Sequence, residues 1–447
     1  FNEYTDILKS NDFIDFEDMM IEVKRLFVKN SAALLRYRER FKYILIDEYQ
    51  DINEVQFEIV KMLAYPLNNL WVCGDDDQSL YRFRGGSPEL MLSFKNIYPN
   101  ARIVKLSVNY RSTEQIIDCA AKMIGENKTR FDKQIVGIGR RGKDVQIIAN
   151  RCMEEENQRI IKLIKSQIES NNHNSIAILT RTNRENAIYA ELLAKNEIEF
   201  SMKEKVVNPY NSAVFKDFAH YISLAECLDE LPVCHLFPIM NKPSRYLSRK
   251  NIITDKITFD RLRQMSANRP YMKNVIDTFE YQIRNLSKMD LYSQINYIRK
   301  GIRYDDYVKS NLTVGGQRYE DYVMLADMIQ AKSREFNSLS DFITYCEEYE
   351  EMLNSKRSID NNNNMNIMTY HAAKGLEFDM VILPHINEGS VPNKRSIGIE
   401  QIEEERRMFY VAMTRAKNEL YISYVKGDKD NRILPSRFLY SLVKSID

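Results

Sequence analysis

The stretch FKYILIDEYQD, from Phe41 to Asp51, decides the fold. Its apolar run, Tyr43 to Ile46, stops on two adjacent acids, Asp47 and Glu48. That is the pattern of a buried strand in a parallel sheet whose carboxyl end carries chemistry. Outward from it the pattern repeats. Helical spacing resumes over Glu54 to Leu63, and NLWVCGDDDQ (Asn69 to Gln78) reads as a second buried strand with an acidic end. A third, ARIVKLSVNYRS (Ala101 to Ser112), ends in Asn109, Tyr110 and Arg111. Strand, helix and strand, with polar residues at the strand ends, predict an α/β domain on a parallel sheet.

Upstream, residues 1–40 read as helical, with apolar residues at Phe16, Met19, Met20, Val23 and Leu26. Downstream, VQIIAN (Val145 to Asn150) and SIAILTRTN (Ser175 to Asn183) repeat the strand-then-helix style. Residues 205–360 differ, being rich in Tyr, Met, Lys and Glu at helical spacing, and predict a helical domain. The run Asn361 to Asn364 suits a linker. After it, NIMTYHAAKGLEFDMVILPHI and LYISY resume α/β character. The expected organisation is a first α/β domain at 1–118, a second made of 119–204 and 361–447, and a helical domain, 205–360, inserted in the second.

The chain has 447 residues, 64 Lys and Arg against 63 Asp and Glu, and a net charge of +1. Bulk charge therefore does not drive it to nucleic acid, and any such site must be a local groove. Its six cysteines are scattered without a C-x-x-C pair, which argues against a disulfide framework or a zinc knuckle. No apolar run approaches the roughly 20 residues that span a bilayer. A reducing cytoplasm is the expected compartment. The first residue is Phe1, not Met, which suggests that a native N-terminus is missing.

Several strings carry chemistry. Nucleotide hydrolysis needs Mg²⁺ on the phosphates and a base for the attacking water, and adjacent acids at a strand tip can divide those tasks. A solvated loop is the competing interpretation of a bare apolar-Asp-Glu string. In GDDDQSLYRFRGG (Gly74 to Gly86), Gln78 is a neutral amide suited to sensing a γ-phosphate, and Tyr81, Phe83 and Arg84 suit stacking on single-stranded bases. Tyr110 is placed to stack on a purine, and Arg111 to reach a phosphate. EEERRMFYVAMTRAKNELYIS (Glu403 to Ser423) reads as an amphipathic helix whose far end carries Arg415, which suits a guanidinium inserted toward a transferring phosphoryl group. Its alternative is a cation complementing a helix dipole.

Together these strings resemble the motifs of superfamily 1 DNA helicases of the UvrD/Rep type, in their order. ILIDEYQD, GDDDQSLYRFRGG, LSVNYRS, MTYHAAKGLEFDMVIL and EEERRMFYVAMTRAKNELYI resemble the second to sixth motifs, ILTRTN (Ile178 to Asn183) an additional DNA-contact motif and FIDFEDM the lead-in to the second. The resemblance implies two RecA-like P-loop NTPase-type domains, the first incomplete, with ATP and Mg²⁺ as ligands. It implies Asp47 on Mg²⁺, Glu48 as catalytic base and Gln78, Arg111 and Arg415 on the γ-phosphate. Tyr110 would meet adenine, Glu377 the ribose, and Gly375 would belong to the nucleotide site. Tyr81, Phe83, Arg84, Arg181, Asn183 and His371 would line a single-strand DNA track. Phe83 stands where many members carry Trp.

Two departures stand out. The phosphate loop G-x-x-x-x-G-K-[ST] is absent; Gly139-Arg-Arg-Gly142-Lys143-Asp144 has the wrong spacing, the wrong final residue and the wrong place. Truncation is the simplest account, with Phe1 near the end of the family's helical 1B subdomain (about 1–14). Second, IMNKPSRYLSRK (Ile239 to Lys250) resembles a duplex-contacting segment ending in Gly-Ile-Gly, but has Tyr246, Leu247 and Ser248 there. Arg245, Arg249 and Lys250 would then act by charge, or form a solvated face. The expected function is an ATP-dependent 3′–5′ DNA translocase or helicase acting on single strands and single/double-strand junctions, with this chain alone inactive. The alternatives are a non-catalytic DNA-binding or scaffold relic, or one subunit of a helicase–nuclease complex with a protein partner.

Overall fold

A computed structural model describes residues 2–80, 85–170, 175–206, 208–250, 252–311, 319–356, 364–427 and 432–442. The chain divides into two compact units, residues 1–204 with 359–447, and residues 205–358. The strands in chain order are β1 (Ile44–Ile46), β2 (Leu70–Val72), β3 (Val108–Asn109), β4 (Val136–Gly137), β5 (Gln146–Asn150), β6 (Ile176–Thr180), β7 (Ser201–Met202), β8 (Leu231–Pro232), β9 (Lys256–Ile257), β10 (Met365–Thr369), β11 (Phe378–Leu383) and β12 (Ala416–Val425).

The first unit contains a six-stranded sheet in the order β5-β12-β11-β6-β10-β7. Every pairing in it is parallel. Central β6 is buried at all five positions, which is why IAILT reads as an unbroken apolar run. One core joins Ala177, Leu179, Val381, Leu383 and Ile422 of the sheet to Phe409 and Val411 of the helix Ile399–Met413 and Ile116 and Ala120 of Glu114–Ile124. Helix starts follow local chemistry: Asn53 with Gln56 and Thr182 with Glu185 form reciprocal capping boxes for Glu54–Ala64 and Asn183–Lys195.

The smaller sheet corrects the expectation of buried strands. β1 pairs with β2 in parallel, but Leu45 is 70% and Trp71 58% exposed. Two strands with helices over one face leave alternate side chains in solvent. The third strand is also shorter than read. Only Val108 and Asn109 form a strand, paired with β4 rather than β2, and Val104 and Leu106 are exposed. At the start of the chain the helices Asn2–Ser10, Phe16–Lys29 and Ser31–Arg40 form, yet Phe16, Met19, Val23 and Leu26 face solvent while Phe27 is buried.

The second unit is helical, with one antiparallel pair among the described residues, β8 with β9. Its core includes Phe218, Ile276, Phe279 and Ile283. Here Arg245 overturns the charged-surface expectation. It is buried, its guanidinium lies 4.3 Å from the Phe279 ring centre, and it donates to the carbonyls of Ile239 and Met240. Arg245 therefore shapes the loop from inside. Arg249 packs on Phe237 and donates to its carbonyl, and Lys250 is exposed. Tyr246 adopts a left-handed φ of +57°, so the backbone turn survives without the glycine that would make it easy.

Candidate active site

The tips of β1 and β2 are drawn together by bonds beyond the strands, from Cys73 N to Ile46 O (2.8 Å) and from Tyr49 N to Cys73 O (2.9 Å). Asp47 and Glu48 are both exposed at this tip, and Glu48 N donates to Asp47 Oδ1 at 2.9 Å. Glu48 holds φ at +51°, a left-handed conformation that costs a non-glycine residue on the order of 1–3 kcal/mol and clusters at functional sites. Fully buried Gln50 secures it: its Nε2 donates to the Glu48 carboxylate and its Oε1 accepts from Asp75 N at 3.1 Å. Gly74 makes room for this bridge, since a Cβ there would lie 2.4 Å from Gln50 Oε1. An exposed carboxylate at a strand tip, as Asp47 provides, is a ligand type that Mg²⁺ accepts.

Gln78 hangs from the same region. Its Nε2 donates to Asp75 Oδ2 at 2.7 Å, leaving Oε1 directed elsewhere. Asp75, Asp76 and Asp77 are themselves gathered by two cations from the segment after the helix Glu114–Ile124. Arg130 makes a two-point bond to Asp77 (2.9 and 2.7 Å), and Lys133 contacts all three carboxylates. Burial pulls the Lys133 ammonium down, but the three carboxylates outweigh it and raise its pKa. These cations fill the cluster that would otherwise resemble a metal site. Sequence reasoning missed Arg130 and Lys133, because nothing local marks a cation 50 residues away as the partner of an acidic strand end.

From the large sheet come Arg415, Lys374, Gly375 and Glu377. Arg415 follows the helix Ile399–Met413 and is 1% exposed. It donates to Val411 O (2.9 Å), Leu376 O (3.3 Å), Thr414 Oγ1 (3.0 Å) and Gln78 Oε1 (3.4 Å). Among the described residues it forms no ion pair, and all four of these acceptors are neutral. Burial and then the positive charge of Arg111 push its pKa down to about 10. Arg111 donates to Glu377 Oε2 at 2.8 Å, while Asn109 Oδ1 accepts from the backbone N–H of Arg111 and fixes the turn. Tyr110 is exposed beside it. Gly375 has φ +80°, a turn that a side chain would strain.

Lys374 is a further residue that sequence reasoning overlooked. It extends from the β10–β11 turn to the first strand tip, with Nζ 3.1 Å from Glu48 Oε2, bonded to Asp51 Oδ2, and 3.2 Å from Gln78 O. Glu48, Gln78 and Arg415 are thus brought together directly or through Lys374, with Arg111 near enough to act on Arg415 electrostatically.

The expected DNA-facing residues are less concentrated. Tyr81, Phe83 and Arg84 lie outside the described residues. Arg181 makes a two-point bond to Glu405 (3.1 and 2.7 Å), so its guanidinium is held within the large-sheet lobe. Asn183 Oδ1 accepts from Asn186 Nδ2, and His371 is partly buried in the β10–β11 turn.

Two family models match the chain. One, described as the UvrD/REP helicase N-terminal domain, matches residues 1–99; the other, the UvrD-like helicase C-terminal domain, matches 104–427. DNA helicase II of Rickettsia typhi is 31% identical over 474 residues, covering 100% of this chain and 70% of that protein. ATP-dependent DNA helicase Rep of Buchnera aphidicola subsp. Acyrthosiphon pisum is 29% identical over 478 residues, covering 99% and 72%. ATP-dependent DNA helicase PcrA of Staphylococcus epidermidis is 30% identical over 478 residues, covering 98% and 63%. The chain spans between 58% and 72% of the length of the curated relatives it matches. With both family models accounting for nearly its whole length, the chain belongs to the UvrD/Rep family of DNA helicases.

Proposed function

We propose that the protein is an ATP-dependent 3′–5′ single-stranded DNA translocase or helicase in the cytoplasm, acting at single/double-strand junctions. The observation that carries the proposal is Arg415. A buried guanidinium with no carboxylate partner is costly to keep, and an arriving polyanion would relieve that cost. Its neighbours suit phosphoryl transfer to water. Glu48 would take the proton of the attacking water, Gln78 would orient that water and the γ-phosphate, and Arg111 and Arg415 would balance the charge that develops. Tyr110 would stack on adenine and Glu377 hold the ribose, with Gly375 letting the backbone pass close by. Mg²⁺, held through Asp47, would neutralise phosphate charge. Tyr81, Phe83, Arg84, Arg181, Asn183 and His371 are the candidates for the DNA track. We assign residues 1–118 and 119–204 with 361–447 to the two motor lobes, and 205–360 to the insert.

The sequence contains no phosphate loop, so the 447-residue chain alone is expected to be silent in a DNA-stimulated ATPase assay. The full-length gene product should turn over ATP and translocate toward the 5′ end, read with oligonucleotides labelled at either end. Robust turnover by the 447-residue chain would refute its inactivity. A full-length product that binds DNA but never hydrolyses ATP would leave the non-catalytic alternative standing.

A further inference from the structure

We propose that Lys374 is a positioning residue that makes the orientation of Glu48 depend on the register between the two lobes. The inference rests on the ATP-hydrolysing role proposed above. Lys374 is nearly buried, with 9% of its side chain exposed, and it arises from the β10–β11 turn of the large sheet. Its ammonium reaches the other lobe, where it meets Glu48 Oε2 at 3.1 Å, donates to Asp51 and donates to the carbonyl of Gln78 at 3.2 Å. One cation from one lobe therefore ties together the carboxylate proposed as base and the loop that carries the proposed γ-phosphate sensor.

The anchor of this tie is Asp51. It is largely buried, and burial raises its pKa while the bond and charge of Lys374 act against that rise. Leu80 N also donates to it at 3.3 Å, which fixes the carboxylate on the first lobe. Glu48 is held from the other side by Gln50, an amide wholly inside the first lobe. The Glu48 carboxylate thus has one restraint that moves with its own lobe and one that moves with the opposite lobe. A shift between lobes must change the second while sparing the first. Displacements of about 1 Å at such a group can lower a rate by roughly 10²-fold, so lobe register becomes a control on hydrolysis.

The test uses the full-length gene product with saturating single-stranded DNA. Lys374→Ala should lower kcat for ATP by about 10²-fold, with KM for ATP and Kd for DNA within about twofold. That split is what removal of an interaction made only in the transition state produces. Lys374→Met, which keeps most of the buried volume, should behave like Lys374→Ala, and Lys374→Arg should recover part of the loss. In a Glu48→Gln background, Lys374→Ala should cause no further loss, because its effect runs through that carboxylate. Wild-type kcat in Lys374→Met, equal losses in KM and DNA binding, or losses that simply multiply with Glu48→Gln would each overturn the inference. A wild-type protein without ATPase would fell the proposed function and this inference together. An active wild type with an inactive Glu48→Gln and an undiminished Lys374→Met would fell this inference alone.

Discussion

At the scale of single residues, Arg415 separates stability from function most cleanly. Its pKa is lowered in the folded chain, which means the charged form is disfavoured there, yet at about 10 it remains protonated at neutral pH. Below pH 10 both folded and unfolded states carry the charge, so the destabilisation is constant through the working range and eases only as pH rises toward the unfolded value. We expect Arg415→Met in the nucleotide-free 447-residue chain to raise stability by about 1 kcal/mol, since replacing a buried charge by an apolar group is often favourable. Urea unfolding measures this. A loss of several kcal/mol would instead make Arg415 a structural residue. Much of this residue-level picture was legible beforehand: Glu48, Gln78 and Arg415 sit in strings long enough to be distinctive, and the structure gathers them. Lys374 was not, because a lysine between an alanine and a glycine carries no periodic or spacing signal of its reach across to Glu48.

At the scale of elements, the loop after β2 is held less by its own backbone than by the clamp of Arg130 and Lys133 on Asp75, Asp76 and Asp77. Asp77 is 1% exposed at its side chain, and removing one member of a buried ion cluster leaves the other uncompensated. Asp77→Ala should therefore cost about 3 kcal/mol in urea unfolding. An effect under 0.5 kcal/mol would show that the cluster is solvated and dispensable. Strand positions followed the apolar runs where the sheet is deep: β6 falls within SIAILTRTN, and β10, β11 and β12 overlap NIMTYH, MVIL and LYISY. The misreadings came where the sheet is shallow. An apolar string such as YILI shows that a strand forms, but not whether a second layer covers it, and so Leu45 and Trp71 were expected inside and lie outside. The charge on Arg245 likewise hid a core residue, because composition cannot reveal that a ring and two carbonyls await a guanidinium.

At the scale of the whole molecule, the helical unit 205–358 has its own core and its own buried polar network. Asp217 accepts from Lys242 and Tyr304, and Asp305 pairs with Arg299. A compact unit with a closed core can fold independently. Expressed alone, it should unfold in urea as a single cooperative transition; a non-cooperative melt would deny it that autonomy. The motor account, in turn, depends on a buried cation, an amide and a carboxylate from two lobes serving one triphosphate. Single-turnover ATP hydrolysis by the full-length gene product, with saturating single-stranded DNA, tests this through Gln78→Ala, Arg415→Ala and the double variant. The account predicts that each single change slows hydrolysis by at least about 10²-fold and that the double variant is scarcely slower than Arg415→Ala, as for groups acting as one unit. Rates near wild type, or losses that multiply in the double variant, would contradict a shared site.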